Sequence, residues 1–117
     1  MYTIRKQFRF EAAHHLEGLA EGHPCMRLHG HSYKVEVMMR SAELDEHYFV
    51  RDYHDLDELK KYIDDLFDHK DLNRVLALPT TAENLSKHFF DWCKLRWPEV
   101  SAVSVAETDK TWATYSE

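Results

Sequence analysis

Two cysteines, three glycines and three prolines are all that 117 residues contain of these types. Cys25 and Cys93 stand far apart in unlike contexts. No disulfide framework is expected, and a reducing cytoplasm is the surrounding that fits. No linker, repeat or low-complexity segment interrupts the chain, so one domain is expected over residues 1–117. No apolar run is long enough to cross a membrane, and the opening Met-Tyr-Thr-Ile-Arg-Lys lacks the apolar stretch of a signal peptide. Positive charge is also scarce. Fifteen Lys and Arg against 21 Asp and Glu leave a net charge of −6, with no basic stripe, which argues against nucleic-acid binding. A local basic pocket for an anionic small molecule remains compatible with that balance. The 44% hydrophobic fraction excludes a disordered chain, and nine histidines are the one compositional excess.

Periodicity reads as two strands, two helices and two more strands. Residues 3–14 alternate, with Phe8, Phe10, Ala12 and His14 of one parity. Gly18, Gly22 and Pro24 mark a loop. Residues 27–40 form a second strand with His29, His31, Tyr33, Val35 and Val37 on one face. Residues 53–67 switch to helical spacing through Leu56, Leu59, Ile63, Leu66 and Phe67, and Asp52 is placed to cap that helix. After Pro79 a second helical stripe runs over 81–97 through Leu85, Phe89, Trp92 and Arg96, ended by Pro98. Thr80 and Glu83 fit a capping box at its start. Alternation returns in Val103, Val105 and Glu107, then from Trp112 to Tyr115. The expectation is an α+β domain: a four-stranded antiparallel sheet with two helices on one face, order ββααββ. The other face would need cover, which oligomerisation would supply.

The segment Cys25-Met-Arg-Leu-His29-Gly-His31 carries the most chemistry. Side chains two apart on a strand point the same way, so His29 and His31 can converge on one ion, and Gly30 leaves room between them. If the first two strands pair, His14 arrives beside them, whereas His15 has the opposite parity. Three neutral imidazoles with an open fourth position describe a catalytic zinc site. Cys25 reads three ways from its residues alone: a fourth ligand that would close the site, a buried inert thiol, or an acid/base group whose pKa a nearby cation would lower. Cys93 reads as packing. Asp68 beside His69 can orient an imidazole, or can be a solvated pair in a charged turn. Glu107 continues an apolar parity, and a carboxylate there needs a partner.

Phe10-Glu-Ala-Ala-His14, Cys25-x-x-x-His29-Gly-His31, Asp68-His69-x-x-Leu72, Thr81-Ala-Glu83-Asn84 and Glu107-Thr108 occur in this order across nearly the whole chain. Together they resemble the family of 6-pyruvoyl-tetrahydropterin and 6-carboxytetrahydropterin synthases, and are most similar to the 6-carboxy branch of queuosine biosynthesis. The resemblance implies the tunnelling fold, with strands of three subunits joined in a barrel, two trimers stacked as a homohexamer, and active sites between subunits. It implies Zn²⁺ on His14, His29 and His31, Cys25 as catalytic thiol, and Asp68 with His69 completing proton transfer. It further implies Glu107 anchoring the pterin, and Thr81 and Glu83 lining its pocket. The implied substrate is 7,8-dihydroneopterin triphosphate, which loses triphosphate and, in the 6-carboxy branch, acetaldehyde. Arg27 and Lys70 are candidates for the triphosphate by charge and position.

Overall fold

The computed structural model describes residues 1–117. Two long strands dominate it, β1 (Tyr2–His14) and β2 (His29–Ser41), paired antiparallel in unbroken register from Tyr2 opposite Ser41 to His14 opposite His29. Their alternation explains the pairing. Phe8, Phe10, Tyr33, Val35, Val37 and Met39 are buried on one face, so a slip by one residue would turn all of them to solvent. The loop between the strands turns at Gly18 and Gly22, both with positive φ. After it come α1 (Asp57–Leu66), β3 (Lys70–Asp71), α2 (Leu72–Val75), α3 (Ala82–Lys94), β4 (Val100–Thr108) and β5 (Thr111–Ser116). The sheet order is β3-β1-β2-β4-β5.

The sheet therefore has five strands and is mixed, where four antiparallel strands were expected. The extra strand is Lys70–Asp71, parallel to Ala12–Ala13. Positive φ at His69 reverses the chain after α1 and sets this short segment against β1. The expected helix over 53–67 divides into a 3₁₀ turn, Tyr53–Leu56, and α1. Asp52 caps the turn rather than the α-helix, its carboxylate accepting from the His54 N–H at 2.9 Å. Leu66, expected on the buried stripe, is exposed. The second helix is shorter than 81–97, and its cap lies one residue later than the Thr80–Glu83 box implied. Thr81 Oγ1 accepts from the Asn84 N–H at 3.2 Å, and Thr80 is buried elsewhere.

The helices pack on one sheet face around an aromatic centre. Phe10 stacks on Tyr33 with ring centroids 4.8 Å apart and meets Phe67 and Phe89 edge-on at 6.0 and 6.2 Å. Each such burial contributes about 1.5–3 kcal/mol. The opposite face carries polar partners instead of the apolar surface that would demand cover. Gln7 donates to Glu36 at 2.8 Å, Ser32 to Glu11 at 2.6 Å, and Ser104 pairs with Thr114 at 2.7 Å. What the fold leaves open is edges: the side of β1 away from β2, before Ala12, and the outer side of β5 have no strand beside them. No helix is long and apolar enough to cross a membrane.

Phe10 joins the sheet to both major helices, so Phe10→Ala should lower stability by roughly 3–5 kcal/mol. Urea denaturation of the metal-free protein reads this directly. A loss below about 1 kcal/mol would show that the core closes over the gap.

Candidate metal centre and active site

At the far end of the β1–β2 pair the buried face changes from aromatic to imidazole. His14, His29 and His31 each offer a ring nitrogen, and these three atoms lie within 4.8 Å of one another. The rings meet edge-on, with centroid separations of 4.6 Å for His14–His29, 5.2 Å for His14–His31 and 4.9 Å for His29–His31. His14 Nδ1 lies 2.9 Å from the Thr80 carbonyl oxygen, and His29 Nδ1 lies 2.7 Å from that of Arg27. A carbonyl only accepts, so both rings carry their proton on Nδ1, and each leaves the Nε2 lone pair free. His14 Nε2 and His31 Nε2 are buried with no hydrogen-bond partner. Two buried ring nitrogens that nothing satisfies, with a third imidazole nitrogen within 4.8 Å, fit a divalent cation. Cys25 is not part of the cluster.

Burial holds the pKa of His14 below the ordinary imidazole value, opposed by its bond to Thr80 and by the Glu107 charge. His31 is lowered for the same first reason, again opposed by Glu107. Glu107 reaches the cluster along β4, its Oε2 3.5 Å from His31 Nε2. It also lines a cavity of about 410 Å³ together with Glu83 and Trp112. Thr81 serves as the helix cap. Arg27 is exposed and contributes its carbonyl to His29.

Cys25 is half-buried in the 3₁₀ turn Pro24–Met26. Its carbonyl accepts from the Leu16 N–H at 2.8 Å, which ties the turn to the end of β1. Asp68 and His69 lie on the other side of β1. The Glu11 N–H donates to Asp68 Oδ1 at 2.9 Å, and His69 Nδ1 lies 2.9 Å from Asp68 Oδ2. The Glu11 N–H first, then His69, holds the Asp68 carboxyl below the usual carboxylate range. The His69 side chain is 77% exposed and, with Lys70, lines an open cavity of about 570 Å³ bounded by Glu11, Gly30, His31 and Ser32. Cys25 has no place in that lining. One chain thus assembles the imidazole cluster with Glu107, and sets His69 on a cavity that His31 also lines and Cys25 does not.

A family model described as 6-pyruvoyl tetrahydropterin synthase matches residues 3–117. The chain belongs to this family of enzymes. It is 37% identical to the 6-carboxy-5,6,7,8-tetrahydropterin synthase of Synechocystis, over 98% of this chain and 93% of that protein. It is 31% identical to the protein of that name from Aquifex aeolicus, over 97% of this chain and 93% of the relative. The solved structure of Caenorhabditis elegans 6-pyruvoyl tetrahydropterin synthase superposes with a TM-score of 0.86 at 25% identity, covering 99% and 95% of the two chains. The fold of this pterin synthase family member is accordingly the tunnelling fold.

Three polar residues around the centre escaped the motif reading. Thr80, fully buried against His14, was masked by its neighbour Thr81, since either threonine satisfies a cap pattern. Tyr33 follows His31 by two residues, and its hydroxyl is buried without a partner, its pKa raised by burial and then by Glu107. Asn73 bonds the main chain of His15. Parity alone could have found Tyr33; nothing local marks Asn73.

The lowered imidazole pKa values set a pH dependence. Above 6.5 both folded and unfolded chains hold these rings neutral. As pH falls the unfolded chain takes up protons first, so stability is lost between 6.5 and the lower native values. The thermal midpoint of metal-free protein should fall between about pH 7.5 and about pH 5.5, and fall less in His14→Gln, whose amide does not titrate. An equal fall in both would place the titrating group elsewhere.

Proposed function

We propose that this chain is a zinc-dependent 6-carboxy-5,6,7,8-tetrahydropterin synthase that converts 7,8-dihydroneopterin triphosphate with release of triphosphate and acetaldehyde. The observation that carries this reading is the three-imidazole cluster with orphaned Nε2 atoms and a carboxylate 3.5 Å from it. His14, His29 and His31 hold the ion. Bound there, Zn²⁺ supplies Lewis-acid polarisation of the substrate's side-chain oxygens. Glu107 accepts the paired N–H donors of the pterin's amino-pyrimidinone and orients the ring, with Glu83 bordering the same cavity. Cys25 takes a proton from the polarised side chain. His69, held at Nδ1 by Asp68, uses Nε2 to give or receive one. Arg27 and Lys70 are both exposed and are offered as triphosphate contacts.

Proton relay between Cys25 and His69 needs them near one substrate, and the cavity that His69 lines within one chain does not include Cys25. A second copy supplying Asp68–His69 removes the difficulty. The open edges of β1 and β5 support assembly by strand pairing, as the homohexamer of stacked trimers requires. Light scattering on the purified protein should give a mass six times that of the 14.0 kDa chain. A monomer that turns over substrate would overturn the shared site. Cys25 is a free thiol and must stay reduced to work, which is why a cytoplasmic location is part of this reading.

Zinc-loaded protein incubated with 7,8-dihydroneopterin triphosphate should release acetaldehyde and triphosphate in equal amounts. Triphosphate without acetaldehyde would make it a 6-pyruvoyl-tetrahydropterin synthase, and no consumption would leave a zinc-stabilised binding protein. Cys25→Ala should lower kcat by about 100-fold or more with zinc content unchanged. Retained turnover would remove Cys25 from the chemistry.

A further inference from the structure

Asn73 has no part in the chemistry above, yet its side chain is bound on three sides. Its Oδ1 accepts from the His15 N–H at 2.9 Å, and its Nδ2 donates to the His15 carbonyl at 3.0 Å. This two-way bond to a single residue leaves the amide only one orientation, oxygen toward the His15 N–H. The same Oδ1 then accepts from the Thr80 hydroxyl at 3.4 Å. A hydroxyl whose proton points at Asn73 turns its lone pairs the other way, and there lies His14 Nδ1, 3.1 Å from Thr80 Oγ1. The Thr80 carbonyl, 2.9 Å from the same nitrogen, can likewise only accept. Two acceptors on Nδ1 require that nitrogen to carry the proton, which leaves Nε2 bare, buried and unpartnered in the cluster.

We propose that Asn73 and Thr80 are positioning residues that hold His14 in its Nδ1–H tautomer and thereby present Nε2 as a metal ligand. Each link has a defined direction: the His15 peptide groups orient the Asn73 amide, the amide orients the Thr80 hydroxyl, and the hydroxyl with its own carbonyl orients the ring. Free histidine side chains favour the opposite tautomer; the Thr80 carbonyl opposes that preference, and the hydroxyl aimed by Asn73 adds a second acceptor on the same nitrogen. Asn73 also fixes the strand exit directly after His14, so the same amide sets the ring's position and its protonation pattern. Such outer partners of a metal-bound histidine are worth about 10- to 100-fold in metal affinity.

The inference rests on the metal reading, but the metal-free protein can test it separately. Two-bond ¹H–¹⁵N correlation spectra of ¹⁵N-labelled, metal-free protein should show His14 protonated on Nδ1. Thr80→Val, which removes the hydroxyl and keeps the carbonyl, and Asn73→Ala should both raise the share of the Nε2–H form above that of the parent. Zinc competition against a chromogenic chelator should show an affinity about 10-fold or more weaker in both. Asn73→Asp keeps both acceptor contacts and should lie between them and the parent. If Asn73→Ala fails to fold, Thr80→Val decides alone. A parent ring protonated on Nε2 would overturn the inference, as would variants that keep the Nδ1–H form and an affinity within about twofold of the parent. Should the parent bind no zinc, the metal reading falls, while the tautomer spectra still decide whether Asn73 and Thr80 orient the ring.

Discussion

The register of β1 on β2 is the constraint from which both the core and the site descend. Because side chains alternate along a strand, one choice of pairing places Phe8 and Phe10 opposite Val35 and Tyr33. The same choice places Ala12 opposite His31 and His14 opposite His29. Hydrophobic burial selects the register, and the imidazoles are carried to their positions by it. The cluster is therefore assembled by forces acting on residues that take no part in its chemistry. A shift of one residue would empty the core and scatter the ligands together.

That arrangement sets polar atoms in a place that would otherwise be filled by carbon. Three buried side-chain atoms lack hydrogen-bond partners, His14 Nε2, His31 Nε2 and Tyr33 Oη, and all three belong to rings in mutual edge contact. Each such atom costs about 1–3 kcal/mol in desolvation. The aromatic centre directly below, Phe10 on Tyr33 with Phe67 and Phe89 around them, offsets this cost. A cation held by the imidazoles would return part of it, coupling metal affinity to fold stability.

What could be read in advance follows from how local each signal is. Strand parity is a property of adjacent residues, so the preference for His14 over His15 needed no structure, nor did placing His29 and His31 on one face or Glu107 on the parity of Val103 and Val105; that these faces coincide is set by the register of β2 on β4. The tunnelling fold and the family were legible because five short motifs span the chain in order. β3 was not, since two residues have no periodicity and their pairing depends on the backbone turn at His69. The exchange of roles between Thr80 and Thr81 was hidden because either hydroxyl satisfies a cap, and only the phase of α3 decides between them. The absence of Cys25 from the cavity that His69 lines was not legible either, because the loop that carries Cys25 has no periodicity to place its side chains.

The loop from residue 15 to 28 shows where such a scaffold can change. Its two ends are pinned together by the pairing of His14 with His29 and, one step inward, by the Leu16–Cys25 hydrogen bond, while Gly18 and Gly22 carry the turns between. Residues added or lost at the tip would leave the ligand spacing intact, because that spacing is set inside the strands. They would alter only the surface segment that carries Cys25. Length changes in this one loop could thus accumulate while the three imidazoles keep their register.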